Sequence, residues 1–452
     1  MRIACFVVLN SLLACAEAAD YYVGPAQAHT TLQSLLDAVN LAPGDVVHVE
    51  GNRTYGVGSG VIVRSDDGGT VTAPVVIRGE RMAGQRPVLS GGINTIKFQS
   101  SDHIVFEGFE VTGGTSRCIF HDAHDVTIRD VLVRDCPNHG IHSADLAGSL
   151  TVEYSELHHI GGAGNDQKHA IYAQTGELEH PGAVFRLRHS YLHDGLSGNL
   201  VKSRAQRTEL HYNWIEGAHI QEVEMLSPDP DFQENPAWSD ATAREDGEMV
   251  GNVVFHRSAA SSYSVRLGGD GTGAGSAGYY RLVGNTFIVN GAGTVLRLFA
   301  QLQSVDAHNN VFTRLGGGGL QVFRDVEADW VDANGMPGVR QMSGSGNFVD
   351  SAASAVPGSW ISTYSAPAAG FVDAGANDFS PNPSSPLLDH GTTGASPAAF
   401  PFPAPLGLAA FQPRRGAVSP GFAEPRPTAG PPDIGAYERT GDAIFVDGFD
   451  GP

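Results

Sequence analysis

The sequence predicts an all-β protein folded as a right-handed parallel β-helix, and three observations lead to this prediction. Glycine and proline are abundant, with 57 and 26 among 452 residues, and both destabilise helix interiors. Short segments of alternating apolar residues recur between residues 103 and 316, which is typical of strands. A polar or small residue stands at an equivalent place in each segment, at Gly108, Asp130, Ser155, Ser190, Asn213, Asn252, Asn285 and Asn310.

The spacing of these positions favours a coil over other repeat units. Repeats of about 22–25 residues with asparagine near one turn are typical of a parallel β-helix, whereas propeller blades need about 40 residues. Stacked asparagine side chains can satisfy each other's hydrogen bonds along the axis of the coils. Apolar residues two places later predict an inward-facing strand position, at Leu132, Leu157, Leu192, Ile215, Val254, Phe287 and Phe312.

The repeat and the flanking composition divide the chain into four parts. Residues 1–19 read as a signal peptide, and residues 20–354 as the β-helix with an N-terminal cap that includes a short amphipathic helix after Thr31. Residues 355–440 form a Pro/Gly/Ala-rich C-terminal region with closing segments, and residues 441–452 form a tail. The tail resembles a terminal signature of exported proteins from some Gram-negative bacteria.

The first residues predict export. One early arginine, an apolar stretch and small residues up to Ala19 are the parts of a signal peptide. We therefore expect a secreted, periplasmic or outer-surface protein of a Gram-negative bacterium. Leu-Leu-Ala before Cys15 resembles a lipoprotein cleavage box, so a membrane anchor at Cys15 is the alternative. Export would permit a disulfide between Cys118 and Cys136; two buried thiols are the other possibility.

The net charge of the chain indicates which binding partners to expect. Acidic residues number 49 against 28 lysines and arginines, for a net charge of −21. A nucleic-acid partner is not expected, because nucleic-acid binding needs a basic surface. We expect a monomer.

Strand alternation nevertheless predicts one cationic column on the outside of the coils. In the strand that follows each polar position, apolar or small residues bracket an outward side chain. Arg204 lies one pleat beyond the column. A cationic stripe on an acidic protein suits an acidic polysaccharide. The predicted column is His142, Tyr172, Lys202, Glu224, Arg266 and Arg297.

A short motif in this column resembles a known family. Asn199-Leu-Val-Lys202-Ser203, followed by Asn213, is similar to the Lys-Ser strand of the β-helix polysaccharide lyases that include chondroitinase B and alginate lyases. The resemblance implies that Lys202 abstracts the proton beside a uronate carboxylate, that an arginine assists, and that Ca²⁺ often neutralises the carboxylate. The arginine expected one coil later is absent, so Arg204 or Arg266 would take its place.

The chemistry of β-elimination assigns the remaining roles. The reaction needs a positive charge for the carboxylate, a base for the C5 proton and an acid for the leaving oxygen. Arg266 or Arg204 would supply the charge, Lys202 the base, and Tyr172 or His169 the acid or an alternative base. Substrate-binding candidates are His142, Arg297 and Trp238. The alternative interpretation is that these residues form a ladder of surface ion pairs, which contributes little to stability.

Two metal sites are also conceivable. Asp166, Glu222 and Glu224 would bind Ca²⁺ through carboxylate oxygens. The second candidate set shares one place on consecutive coils and has the ligand types of zinc, although such residues also occur on ordinary polar faces. That set is His158, His193 and Glu216.

The sequence thus favours an exported polysaccharide lyase that cleaves a uronate-containing glycan. A non-catalytic surface protein that binds glycans along the same column is the first alternative. A glycoside hydrolase is the second, and clustered catalytic aspartates are not evident for it.

Overall fold

A computed structural model describes residues 18–162, 166–227, 244–257, 262–270, 275–325, 329–331, 338–394, 402–428 and 430–440. Residues 1–17 of the predicted signal peptide, the tail from residue 441 and Trp238 lie outside these ranges. The chain winds through three parallel sheets of twelve, twelve and ten strands, called sheets I, II and III in the order of each turn. The parallel β-helix prediction is confirmed.

Sheet I begins every coil. Its strands are β1 (Asp20–Val23), β2 (Val46–Glu50), β5 (Val75–Glu80), β8 (Ile104–Glu107), β11 (Val126–Arg129), β14 (Leu150–Glu153), β17 (Val184–Arg188), β20 (Arg207–His211), β23 (Asp246–Val250), β26 (Tyr279–Val283), β29 (Ser304–His308) and β32 (Met342–Ser345).

Sheet II follows sheet I after a tight bend. Its strands are β3 (Arg53–Gly56), β6 (Pro87–Ser90), β9 (Glu110–Thr112), β12 (Leu132–Arg134), β15 (Glu156–His158), β18 (Tyr191–His193), β21 (Trp214–Glu216), β24 (Val253–His256), β27 (Thr286–Asn290), β30 (Val311–Leu315), β33 (Phe348–Asp350) and β34 (Tyr364–Ala366).

Sheet III completes the coil and carries the predicted column. Its strands are β4 (Val61–Val63), β7 (Asn94–Gln99), β10 (Arg117–Asp122), β13 (His139–Ser143), β16 (Ile171–Gln174), β19 (Val201–Arg204), β22 (Val223–Leu226), β25 (Tyr263–Gly268), β28 (Gly293–Leu298) and β31 (Leu320–Arg324).

The core is the inside of the coil stack. Inward residues of successive strands lie directly above one another, as Val201, Val223 and Val265 do in sheet III, and all three are fully buried. Phe287 and Phe312 stack with their ring centroids 5.3 Å apart. Burial of one apolar residue per pleat in every coil accounts for the alternation read from the sequence.

The asparagine ladder is confirmed along the bend between sheets I and II. The backbone N–H of each member donates to the side-chain oxygen of the next, at 2.9–3.0 Å. The serines before it continue the column, since Ser155 N–H donates to Ser190 Oγ and Ser190 N–H donates to Asn213 Oδ1. The asparagine members are Asn213, Asn252, Asn285, Asn310 and Asn347.

At the start of the ladder the predicted positions are wrong by one residue. The N–H that donates to Ser155 Oγ belongs to Val131, not to Asp130, and Val133, not Leu132, pairs with Leu157. Asp130 instead adopts a positive φ of 53° in the preceding bend. Polar residues and glycine suit that bend as well as the ladder, so the pattern alone places the ladder one position early, here and at Gly108 (φ 82°).

The flanking regions pack against the coils. The helix predicted after Thr31 is confirmed as α1 (Leu32–Leu36), a single short helix with a Thr31 capping box, and Gln33 Oε1 accepts a hydrogen bond from the N–H of Ile62 in β4. Its role as a cap stays a prediction.

Cys118 and Cys136 form a disulfide. In the described part of the chain, no helix is long and apolar enough to cross a membrane.

The C-terminal region lies on the outside of sheet II. It contains two antiparallel hairpins, β35 (Phe371–Asp373) with β36 (Asp378–Pro381), and β37 (Phe411–Gln412) with β38 (Glu424–Pro425). Phe379 stacks on Trp214 of β21, with ring centroids 5.5 Å apart. Arg415 pairs with Glu216 at 2.9 Å. These contacts cover apolar and charged groups that the coils alone would expose.

A buried carboxyl at the bend from sheet III to sheet I makes stability depend on pH. Burial raises the pKa of Glu177 from 4.5 to about 7. The folded state therefore holds this proton more tightly than the unfolded chain does, and the stability present below about pH 4.5 is lost as the pH rises through 7. We expect Glu177→Gln to be more stable than the wild type at pH 8 by about 1–3 kcal/mol, measured by chemical denaturation.

The control for this variant is Glu179→Gln. Glu179 is exposed and its charge adds only secondarily to the shift of Glu177, so this variant should change the free energy of unfolding much less than Glu177→Gln does. At pH 4.5 the advantage of Glu177→Gln should disappear. An equal effect of Glu177→Gln at both pH values would contradict the proposed pKa shift.

Candidate functional site

The outward column of sheet III is confirmed strand by strand. The parallel register continues it by three positions at one end, through Phe120, Lys97 and Ile62, and by Arg324 at the other. Val223 and Met225 are buried, so Glu224 is the outward residue of its strand, as predicted. The paired members are His142, Tyr172, Lys202, Glu224, Arg266 and Arg297, in this order.

A groove of about 490 Å³ lies over the middle of this column. The structure brings all five predicted catalytic side chains to its lining, together with Asp166 and Glu224. Strands β16, β19, β22 and β25 supply most of them, because adjacent parallel strands place equivalent residues about 4.8 Å apart. The five are His169, Tyr172, Lys202, Arg204 and Arg266.

Lys202 lies on the groove floor and is buried. Its Nζ lies 3.8 Å from Glu224 Oε2 and 5.0 Å from the centre of the Tyr172 ring. Burial lowers the pKa of the Lys202 ammonium, and although Glu224 opposes this shift, the charges of Arg204 and Arg266 reinforce it. A lowered pKa favours the neutral amine, the form in which a lysine can accept a proton.

Arg204 organises the side of the groove next to Lys202. Its Nε donates to the phenol oxygen of Tyr172 at 3.0 Å, its Nη1 donates to the carbonyl of Ser227 at 2.7 Å, and its Nη2 pairs with Asp270. Arg204 is buried. The guanidinium therefore stabilises negative charge on the Tyr172 oxygen.

Glu224 and Arg266 form another part of the groove lining. Arg266 Nη1 lies 2.6 Å from Glu224 Oε1, and Asn199 Nδ2 donates to Glu224 Oε2 at 2.7 Å. Arg266 Nη2 reaches Asp270 at 3.2 Å. Arg266 is the more accessible of the two arginines, which suits it to meet a ligand carboxylate.

His169 is a neutral hydrogen-bond donor in this arrangement. Its Nδ1 accepts the backbone N–H of Asn199 at 3.0 Å, so the proton of the neutral ring is on Nε2. Burial, and secondly the charge of Lys202, holds the pKa of His169 well below its usual value. A ring in this state cannot serve as the base, because neither nitrogen has a lone pair to spare.

The predicted substrate-binding residues lie along the column but outside the groove lining. His142 accepts from Arg117 Nε at 2.8 Å and stacks on Tyr172 with ring centroids 4.8 Å apart. Arg297 lies over the Tyr263 ring at 4.2 Å. Their contact with a substrate stays a prediction, and Trp238 lies outside the described residues.

The three residues predicted to bind Ca²⁺ do not fit one ion. Glu222 is fully buried, and its carboxylate accepts from His256 Nδ1 at 2.8 Å and from Ser264 Oγ at 3.1 Å. Glu224 is held by Arg266, as described above. Asp166 is at the exposed rim. A carboxylate already neutralised by arginine is a poor ligand for a hard cation, so these residues do not indicate a calcium site.

The second predicted metal set is only partly right. His158, His193 and Glu216 do share one place on consecutive coils. Glu216, however, accepts from Tyr191 Oη at 2.7 Å and pairs with Arg415 of the C-terminal region. The acid that joins the two histidines is Glu156. Glu216 is not the third ligand because Tyr191, and Arg415 of the C-terminal region, hold its carboxylate.

Sequence reasoning missed Asp270, which links both arginines of the groove. It stands in the glycine-rich stretch after β25. One signal was present: a lone acid directly after a column strand, on the same coil as Arg266. The role of Asn199 was also missed, although the residue belongs to the quoted motif.

No protein-family model and no curated protein sequence matches the chain significantly. Solved structures do match. The fold is similar to that of the pectate lyase Pel9A, with a TM-score of 0.57 at 14% identity, covering 94% of this chain and 97% of that chain. It is also similar to an alginate lyase from Paenibacillus sp. str. FPU-7, with a TM-score of 0.50 at 16% identity, covering 68% of this chain and 98% of that chain. These likenesses show a shared parallel β-helix fold.

Proposed function

We propose that this protein is an exported polysaccharide lyase that cleaves a uronate-containing glycan by β-elimination. The observation that carries the proposal is the position of Lys202, a buried lysine with a lowered pKa on the floor of an open groove that Arg204 and Arg266 also line. The fold shared with a pectate lyase and an alginate lyase supports it by analogy.

The groove supplies one group for each part of the reaction. Neutral Lys202 takes the C5 proton, the electron pair of that bond forms the C4–C5 double bond, and the bond from C4 to the glycosidic oxygen breaks. Arg266 faces the uronate carboxylate, whose charge must be offset while the C5 proton leaves. His169 donates a hydrogen bond from Nε2 to the bound substrate.

Tyr172 is the acid in this scheme. It gives its phenol proton to the leaving oxygen, and the resulting phenolate keeps the hydrogen bond from Arg204 Nε. This assignment explains why a buried arginine points at a phenol oxygen. Lys202 then releases its extra proton to solvent, and the Tyr172 phenolate takes up a proton from solvent.

Hydrolysis fits the groove less well. A glycoside hydrolase needs one carboxyl that stays protonated as the acid. Burial alone would raise the pKa of Asp270, but Arg204 and Arg266 bring it below its usual value. Glu224 is paired with Arg266. Asp270 and Glu224 are therefore unsuited to act as the acid.

The experiment uses the purified protein with alginate, pectate, hyaluronan, chondroitin and glucuronan, each with Ca²⁺ and with EDTA. Ultraviolet absorbance follows the unsaturated uronyl end, which only elimination creates. A rise on one polymer supports the proposal and identifies the substrate. New reducing ends without absorbance would replace it with hydrolysis, and glycan binding without any product would replace it with an adhesin.

Replacing Tyr172 by phenylalanine tests the acid. We expect Tyr172→Phe to lower kcat about 10²-fold or more, with a small change in KM, because the ring and its stacking remain. The matched control is Tyr263→Phe, which alters another phenol in the groove lining. Equal losses in both variants would show that Tyr172 has no special part in the reaction.

A further inference from the structure

The outer face of sheet II carries a cluster of metal-ligating side chains away from the groove. Glu156 and His158 of β15 and His193 of β18 each offer one ligand atom, and these atoms lie within 4.8 Å of one another. All three side chains are half-buried. Within the residues that the structure describes, this is the one group of three or more such side chains.

The parallel register produces this cluster. His158 lies beside His193 in the next coil, and their rings stack with centroids 4.9 Å apart. Glu156 precedes His158 by two residues and so lies on the same face. Its Oε1 is 3.1 Å from His193 Nε2.

The second ring nitrogen of His193 is held by a carboxylate outside the cluster. Asp194 Oδ2 lies 2.7 Å from His193 Nδ1, which leaves Nε2 directed at Glu156. Metal-binding histidines almost always have their second nitrogen held by a carboxylate or carbonyl in this way. His158 Nδ1 lies 3.0 Å from His159 Nδ1, so this nitrogen also has a partner outside the cluster.

We propose that Glu156, His158 and His193 bind a divalent ion of the zinc class, with Asp194 as the residue that positions His193. Two imidazoles and one carboxylate are a common zinc ligand set, and water completes the tetrahedron. Calcium and magnesium prefer oxygen ligands alone. The stacked rings must turn about their Cβ–Cγ bonds to meet one ion, and this torsion is broad for histidine.

The ion would join two successive coils on a sheet other than that of the groove. It would therefore act on the folded state rather than on the proposed reaction, because a ligand that binds only the folded chain stabilises it. The proposal is independent of the lyase assignment.

The test is zinc binding to the untagged protein, measured by titration calorimetry after treatment with EDTA. We expect one Zn²⁺ per chain. His158→Gln, His193→Gln and Glu156→Gln should each weaken binding at least about 10-fold, and Asp194→Asn should weaken it about 10–100-fold. An unfolding transition, measured for every variant in EDTA, shows that each variant is folded without the metal.

The matched control is His48→Gln. His48 also lies between two carboxylates, those of Asp20 and Glu80, but no second imidazole among the described residues joins them in a group of three ligands. Zinc binding should be unchanged in this variant. The proposal is overturned if the wild type binds no zinc, or if folded His158→Gln and His193→Gln variants bind it as tightly as the wild type.

Discussion

Replacing Lys202 with alanine is expected to lower kcat for β-elimination about 10²–10⁴-fold, the range that a positioned base contributes. Glycan binding should remain, since Arg266 still faces the substrate. The variant removes the group that accepts the C5 proton, while its strand keeps its inward neighbours Val201 and Ser203. The measurement is the rate of ultraviolet absorbance increase, with binding followed separately by calorimetry.

A second substitution separates the charge of Lys202 from its basicity. Lys202→Arg keeps a positive charge in the groove but cannot lose its proton near neutral pH, so we expect binding without turnover. Lys97→Ala is the matched control, because Lys97 belongs to the same column several coils away and should leave the rate unchanged. An active Lys202→Arg variant would remove Lys202 from the role of base.

The pH profile of the wild type provides an independent check on the same group. Because burial lowers the pKa of Lys202, the neutral form appears at a lower pH than for an exposed lysine. We expect kcat to rise with pH on the acid side of the profile and to level off below the usual pKa of lysine.

Replacing Asn252 with alanine is expected to destabilise the fold by about 2–4 kcal/mol, because several buried groups lose their partners together. Asn252 Oδ1 accepts from the backbone N–H and from Nδ2 of Asn213, at 2.9 and 3.0 Å. Its Nδ2 donates to the carbonyl of Leu210 and to Asn285 Oδ1, at 2.7 and 2.8 Å. Chemical denaturation measures the loss.

The control for the ladder is Asn290→Ala. Asn290 is an exposed asparagine at the end of β27, and its replacement should change the free energy of unfolding by less than about 0.5 kcal/mol. If Asn252→Ala costs no more than Asn290→Ala, the ladder contributes little and the coils are held by apolar packing alone.

The order of side chains along the column could be predicted because it depends on local periods. Strand alternation has a period of two, and burial of one face determines the register, so alternation alone favours Glu224 over Met225 as the outward residue. The same reasoning failed at Asp130, where a bend residue with positive φ and a ladder residue accept similar amino acids.

The contacts across the groove were beyond such reasoning. Whether Arg204 reaches Tyr172 and Asp270, or whether Glu222 turns to His256 and away from Glu224, depends on the paths of the bends between strands. The lengths of these bends vary from coil to coil, so the positions of their side chains do not follow from a repeat in the sequence.

The sequence therefore establishes the coil, its ladder and the list of side chains that face outward, since each follows from a repeat of two residues or of one coil. The partner of each charged group is a property of the folded chain. Glu216 illustrates the reason: its place beside His193 is set by the coil repeat, but its charge is bound by Arg415, a residue almost 200 positions away. Only packing of the C-terminal region on sheet II brings the two together.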